Sequence, residues 1–350
     1  MNAKRSAVIC AVLAAVCYGL GAPAAKLLLA DVSPYIMASA LHLGAGFGML
    51  AVRAVRSKAS KRREARLTRC ELPYTAAMIA LDIAAPVLLM LGLSLSSSAT
   101  VSLLNNFEIV VTTLIALFFF KEAVGRRVWI AIALITAASA MLSVEDSESI
   151  ALSVGAVFVL LACLCWGLEN NCTRKLSLRD PLQIVVVKGI GSGFGALALA
   201  AFIGESVPSS LYVSLALLVG FVSYGLSIYF YILAQRTLGA ARTSAYYAVA
   251  PFIGVALSFA IFRETPSATF LAALVIMLAG TYFLAFEKHA HSHAHTSVEH
   301  EHRHSHDDGH HTHTHEPTAP NEHSHAHSHE SIRHSHAHTP DLHHAHTHQR

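Results

Sequence analysis

Apolar runs of roughly bilayer-spanning length, separated by short polar stretches, fill the first 288 residues of the chain. A helix needs about 20 apolar residues to cross a bilayer core. On that measure the pattern predicts ten spans: 6–28, 34–52, 74–93, 98–120, 127–143, 151–169, 182–203, 211–233, 240–262 and 268–286. They leave short loops and no room for a soluble domain between them. Beyond residue 288 the pattern stops. Residues 289–350 have almost no apolar side chains and no periodicity, and Pro317, Pro320 and Pro340 interrupt them, so a disordered tail is expected.

Composition agrees with the pattern. Only 13% of residues are charged, against about 25% in a soluble domain, and mean hydropathy is +0.49 even with the polar tail included. So few charges cannot cover a soluble globule. Lys4-Arg5 before an apolar run, with Ala22-Pro23-Ala24 after it, imitates a signal peptide, but nine further spans make this an uncleaved first helix. Cys10, Cys17, Cys70, Cys163, Cys165 and Cys172 lie in or beside apolar stretches with no CxxC pair, and read as small apolar filler. With the N-terminus inside, 18 Lys and Arg residues fall in inner segments, eight of them between Arg53 and Arg69. The outer loops hold Arg263 and the acidic Glu145, Asp146 and Glu148, with Lys26 near the outer end of the first span. Both termini are therefore expected in the cytoplasm.

The chain contains itself twice. Cys17-Tyr18-Gly19-Leu20 answers Cys165-Trp166-Gly167-Leu168, Pro34 answers Pro181, and Gly44-Ala45-Gly46-Phe47-Gly48 answers Gly191-Ser192-Gly193-Phe194-Gly195. Phe120-Lys121-Glu122 answers Phe262-Arg263-Glu264 at a shorter offset, because the first half has the longer basic loop. Five spans per half is an odd number, so the halves must cross the membrane in opposite directions, the architecture of secondary transporters.

The halves resemble the EamA repeat of the drug/metabolite transporter superfamily over essentially residues 6–287. The second half carries the likeness most clearly, in Leu238-Gly239-Ala240-Ala241-Arg242 leading to Tyr246-Tyr247-Ala248-Val249-Ala250-Pro251, then Phe262-Arg263-Glu264 and Gly280. In the first half Leu104-Asn105-Asn106-Phe107-Glu108 stands where such repeats usually have a proline. The resemblance implies ten helices, both termini inside, and export or exchange of small metabolites; it implies no particular cargo. The organisation expected is a first repeat over 6–143, a second over 151–287 and a His-rich cytoplasmic tail over 289–350, an all-α integral membrane protein of two inverted five-helix repeats.

Charge at bilayer depth is costly, so ionisable residues within spans are functional candidates. They are His42, Asp82, Glu108, Glu169 and Lys188, with Asn105, Asn106, Asn170 and Asn171 beside them. Glu169 to Asn171 are read at the end of the sixth span. His42 and Lys188 precede the two glycine runs at nearly equivalent places. In one reading they hold an anionic substrate group while Asp82 or Glu108 carries a coupling proton; in the other, Lys188 pairs with Glu108 or Asp82 and fixes helix packing. Tyr224, Tyr229, Tyr246 and Tyr247 add hydroxyls to the candidate pathway, and Glu122 and Glu264 read as structural helix ends.

The tail holds 23 of the chain's 24 histidines. Neutral imidazole is a good ligand for Zn, Ni and Co, and His-x-His in an extended chain turns both rings to one side. The candidate ligands are His291, His293, His295, His302, His304, His306, His311, His313, His315, His323, His325, His327, His334, His336, His338, His346 and His348. His300-Glu301-His302-Arg303-His304 matches HExxH literally, but that protease motif needs a stable helix and is set aside.

The function expected is a secondary transporter that exports a small metabolite across the cytoplasmic membrane by alternating access. A divalent-metal (Ni, Co or Zn) efflux protein whose tail gathers the cation, and a membrane metal-binding protein without transport, are the other readings. Spans with few acids and no paired Asp/His motif favour the metabolite. No catalytic constellation, phosphate loop or nucleic-acid module is present, so no enzyme, required cofactor or nucleic-acid partner is expected. The expected partners are the lipid bilayer, a small-molecule substrate, a proton or other coupling ion, and a second copy in a homodimer.

Overall fold

The computed structural model describes residues 3–59, 67, 69–120, 125–144, 153–174, 176, 179–238 and 240–285, and in the tail 290–294, 299–305, 322–328 and 333–337. The helical portion and the tail are separate compact units.

Among the described residues, ten helices make up the helical unit. They are α1 (Ala3–Gly19 with Gly21–Leu28), α2 (Pro34–Ala59), α3 (Leu72–Leu95), α4 (Ser98–Leu104 with Phe107–Phe120), α5 (Arg126–Ser143), α6 (Val154–Arg174), α7 (Pro181–Ile203), α8 (Ser210–Leu238), α9 (Ala240–Tyr247 with Ala250–Phe262) and α10 (Ala268–Ala285). Eight segments are long and apolar enough to cross a membrane; Ala250–Phe262 and Ala268–Leu284 are shorter apolar helices. The expected spans are met in order, with three differences. α2 continues past its apolar part to Ala59, α6 runs on to Arg174, so Glu169–Asn171 lie within the helix rather than at its end, and α4 and α9 are each interrupted.

The interruptions have legible causes. In α9, Pro251 has no N–H to donate to Tyr247, and the chain tightens instead, with Phe252 N–H donating to Val249 C=O at 3.1 Å. α4 has no proline. There the Asn106 side chain donates to Leu103 C=O at 3.0 Å, competing with the helix for its own carbonyl, and Asn106, Glu108 and Ile109 N–H groups each reach back three residues rather than four. α8 keeps its course but widens to a π-helix over Phe221–Leu226.

The packing repeats the sequence duplication. α1 lies on α8 as α6 lies on α3, α1 on α9 as α6 on α4, and α2 pairs with α7, α4 with α9 and α5 with α10. Arg53 near the end of α2 reaches Asp180 at the start of α7 (3.3 Å), so these equivalent helices run antiparallel, as inverted halves require. A second ion pair joins Arg179 to Glu71 at the start of α3. α2 and α7 cross through glycines: a Cβ on Gly189 would lie 2.6 Å from Gly46 N and 2.8 Å from His42 O. Small residues let the backbones touch. Lys26 caps α3, its ammonium donating to the carbonyls of Leu93 (2.6 Å) and Ser96 (2.9 Å).

In the tail, the described residues form four short strands, β1 (Ala290–Ala294), β2 (Glu299–Ser305), β3 (Glu322–Ser328) and β4 (Arg333–Ala337). β1 pairs with β4 and β2 with β3, both antiparallel. Regular pairing was not expected there; His-x-His alternation has the two-residue period of a strand. His295, His306, His311, His313, His315, His338, His346 and His348, and Glu122 in the first half, lie outside the described residues.

Candidate functional site

The residues of the glycine crossing carry the charged groups. His42 is four residues before Gly46 in α2, and Lys188 immediately precedes Gly189 in α7. Both reach Asp82 of α3, which is fully buried: His42 Nε2 and Lys188 Nζ each lie 3.3 Å from Asp82 Oδ2. From α6, Trp166 Nε1–H donates to Asp82 Oδ1 at 3.1 Å. Lys188 also pairs with Glu169 Oε2 at 3.1 Å, and the other Glu169 oxygen accepts from the Thr173 hydroxyl.

Four helices from both halves thus converge on alternating charges. Isolated, any one would be severely destabilising in the interior; paired, they are tolerable. Both ring nitrogens of His42 face acceptors, since Nδ1 lies 3.2 Å from Ala38 C=O while Nε2 faces Asp82.

Glu108 stands apart. Lys188 does not pair with it, contrary to one of the two pairings the sequence offers. Its partner is the neutral amide of Asn170, donating to Oε1 at 2.7 Å and shared with the Thr112 hydroxyl at 3.3 Å. Asn171, buried, donates to Gly167 C=O and ties down its own helix.

A cavity of about 20 Å³ lies at the interrupted parts of α4 and α9, room for about one water. Tyr18, Gly19, Gly21 and Ala22 of α1, Ser102 and Asn105 of α4, Tyr224 of α8, and Ala250, Pro251 and Gly254 of α9 line it, with Leu89 of α3. Tyr18 packs on Tyr224 and Tyr247 with ring centroids 6.3 and 5.6 Å apart, and Tyr224 continues to His42 at 5.6 Å. An aromatic row therefore joins cavity to charges.

Of the sequence candidates, His42, Asp82, Glu169 and Lys188 form one cluster, Asn105 and Tyr224 line the cavity, and Glu108, Asn170 and Tyr247 lie beside them. Asn106 is buried in the interruption of α4. Tyr246 is exposed on α9, and Tyr229 packs near Met49 and Val185 instead. Tyr18, Ser102 and Trp166 were not singled out. For Tyr18 and Trp166 a signal existed, because they occupy the same place in the duplicated Cys-aromatic-Gly-Leu segment.

Inverted five-helix halves closed around buried charges define a membrane transporter of the inverted-repeat kind. The chain belongs to the EamA-like transporter family, whose sequence model matches residues 5–144 and 153–286. It is 25% identical to an uncharacterized transporter of Methanothermobacter thermautotrophicus over 290 residues, 78% of this chain and 84% of that protein. A crystal structure of another protein aligns with a TM-score of 0.56 at 14% identity, covering 80% of this chain and 96% of that one, a likeness of fold alone.

Proposed function

We propose that the protein exports a small metabolite from the cell by alternating access, with the cavity at the helix interruptions as its substrate site. The observation that carries this reading is the cavity itself: helices of both halves line it, two of them broken there, with the charged cluster adjoining. Broken helices at the junction of inverted repeats are where such transporters hold their cargo. Glu108, the carboxylate without a cation, is suited to carry a coupling proton. Purified protein in liposomes, screened against small metabolites with and without a pH gradient, tests this. Uptake that follows the gradient supports it; a folded protein that moves nothing overturns it.

The lysine and arginine bias of the loops supports insertion in the cytoplasmic membrane with both termini inside. A reporter active only in the cytoplasm should work when fused after Ala65 or Lys288 and be silent at Asp146. Activity at Asp146 would overturn the orientation.

Metal binding is a separate property, which we propose for the tail. In register, His291 stands opposite His336, His293 opposite His334, His300 opposite His327, His302 opposite His325 and His304 opposite His323. Directly opposed residues of antiparallel strands have Cβ atoms about 5 Å apart, within reach of one shared ion. Among the described residues no group of three His, Cys, Asp or Glu is placed to hold a metal, which favours metabolite over metal as cargo. Equilibrium dialysis of the full chain against Zn, Ni and Co should find several ions per chain; none bound would end the assignment.

A further inference from the structure

We propose that the carried molecule is a small organic cation, its protonated amine held against the tyrosines of the cavity and balanced by Glu108. The inference rests on the transporter reading above and names its substrate class.

The charges point that way. In the cluster the basic groups are committed: Lys188 is held between Asp82 and Glu169, and His42 lies against Asp82. Glu108 is the remaining acid, and its hydrogen-bond partner is an uncharged amide. Among the described residues no Lys, Arg or His lines the cavity. An anionic ligand would find no cation in the cavity wall; a cationic ligand would find in Glu108 a carboxyl able to ionise against it. Glu108 N–H donates to the carbonyl of Asn105, which lines the cavity, at 3.2 Å.

The walls agree. Tyr18 and Tyr224 both line the cavity, and Tyr247 extends their row. The face of an aromatic ring attracts a cation within about 6 Å of its centroid. Ser102 Oγ and Asn105 Oδ1 are buried without a hydrogen-bond partner, and both residues line the cavity. An ammonium offers three donors and no acceptor, the complement of that set. The cavity has room for about one water, so the ligand enters when the halves move apart.

The test uses the full chain in liposomes and probes differing in head charge alone: phenethylamine, 3-phenylpropanoate and 3-phenylpropanol, with ethanolamine and putrescine as amines of other sizes. At least one amine should enter at least about tenfold faster than the acid and alcohol, a difference equivalent to one decade of affinity. Glu108→Gln should erase that preference, Glu108→Asp should keep it, and Tyr18→Phe, which retains the ring, should keep more of it than Tyr18→Leu. Uptake of the acid or alcohol in preference to every amine would overturn the inference and leave the transporter standing. An unchanged amine preference in Glu108→Gln would also overturn it. No uptake of any probe or metabolite by folded protein would remove both.

Discussion

The two halves share a backbone plan and differ in what they set on it. Continuing the alignment of Cys17 with Cys165, Gly21 and Ala22 of α1 occupy the places of Glu169 and Asn170 of α6. Aligning Phe120 with Phe262 sets Glu108 of α4 against Ala250 of α9, and Ile109 against Pro251. Where one half has carboxylates and an amide, its mate has glycine and alanine. Asp82, Glu169 and Lys188 are paired with one another, Glu108 has only a neutral amide beside it, and the glycines and alanines opposite border the cavity. Duplication supplied a symmetric frame, and divergence set charge on one side of it and small residues on the other. Stability is therefore expected to depend on the paired charges, and cargo on Glu108 and the cavity.

The largest effect should come from the charged face. Asp82→Ala leaves His42 and Lys188 without their shared partner and should destabilise the fold by about 3–5 kcal/mol, read as lost abundance in the membrane and a lower melting temperature in detergent. Placing a carboxylate on the other face, Ala250→Glu, puts an unpaired charge in the spans, at about 2.5–3.5 kcal/mol, and should block transport as well; wild-type transport would show that the two faces are interchangeable. Glu108→Gln keeps the Asn170 contact in shape and should leave abundance unchanged while slowing uptake at least about tenfold, or ~1.4 kcal/mol. Gly21→Ala is milder. Its methyl group would sit 3.3 Å from Ser223 Cβ, so melting should shift by less than about 1 kcal/mol, while uptake falls because the cavity is narrowed. Cutting the chain after Lys288 should change neither insertion nor uptake and remove nearly all metal capacity; failure to insert would show that the tail supports the helices.

Much of this was legible beforehand because hydrophobic length and internal duplication are read directly from residues. The helices and their inversion follow from them, as does the choice of His42, Asp82 and Lys188 as candidates, though the partner of Lys188 stayed open between Asp82 and Glu108. Less legible was anything fixed by rotation about a helix axis. Glu169 was placed at a helix end, but three more residues of α6 beyond Asn171 put it inside, facing Lys188. The break in α9 is announced by Pro251. The matching break in α4 is not, since an Asn-Asn pair interrupts a helix only when its side chain turns back on the backbone, as Asn106 does. The cavity was invisible for a related reason. Five of its eleven lining residues are glycine or alanine, and absence of side chain carries no chemical signature in a sequence already rich in both.

The α2–α7 crossing also acts as a gauge. Gly46 and Gly189 meet backbone to backbone, and from either side of that contact His42 and Lys188 extend to the same carboxylate oxygen. The separation of the two helices thus sets how far apart the two basic side chains stand. A methyl group on either glycine would act as a shim: its first consequence would be a stretched ion pair, so that a purely steric change at an apolar crossing would be felt as a loss of charge neutralisation one turn away.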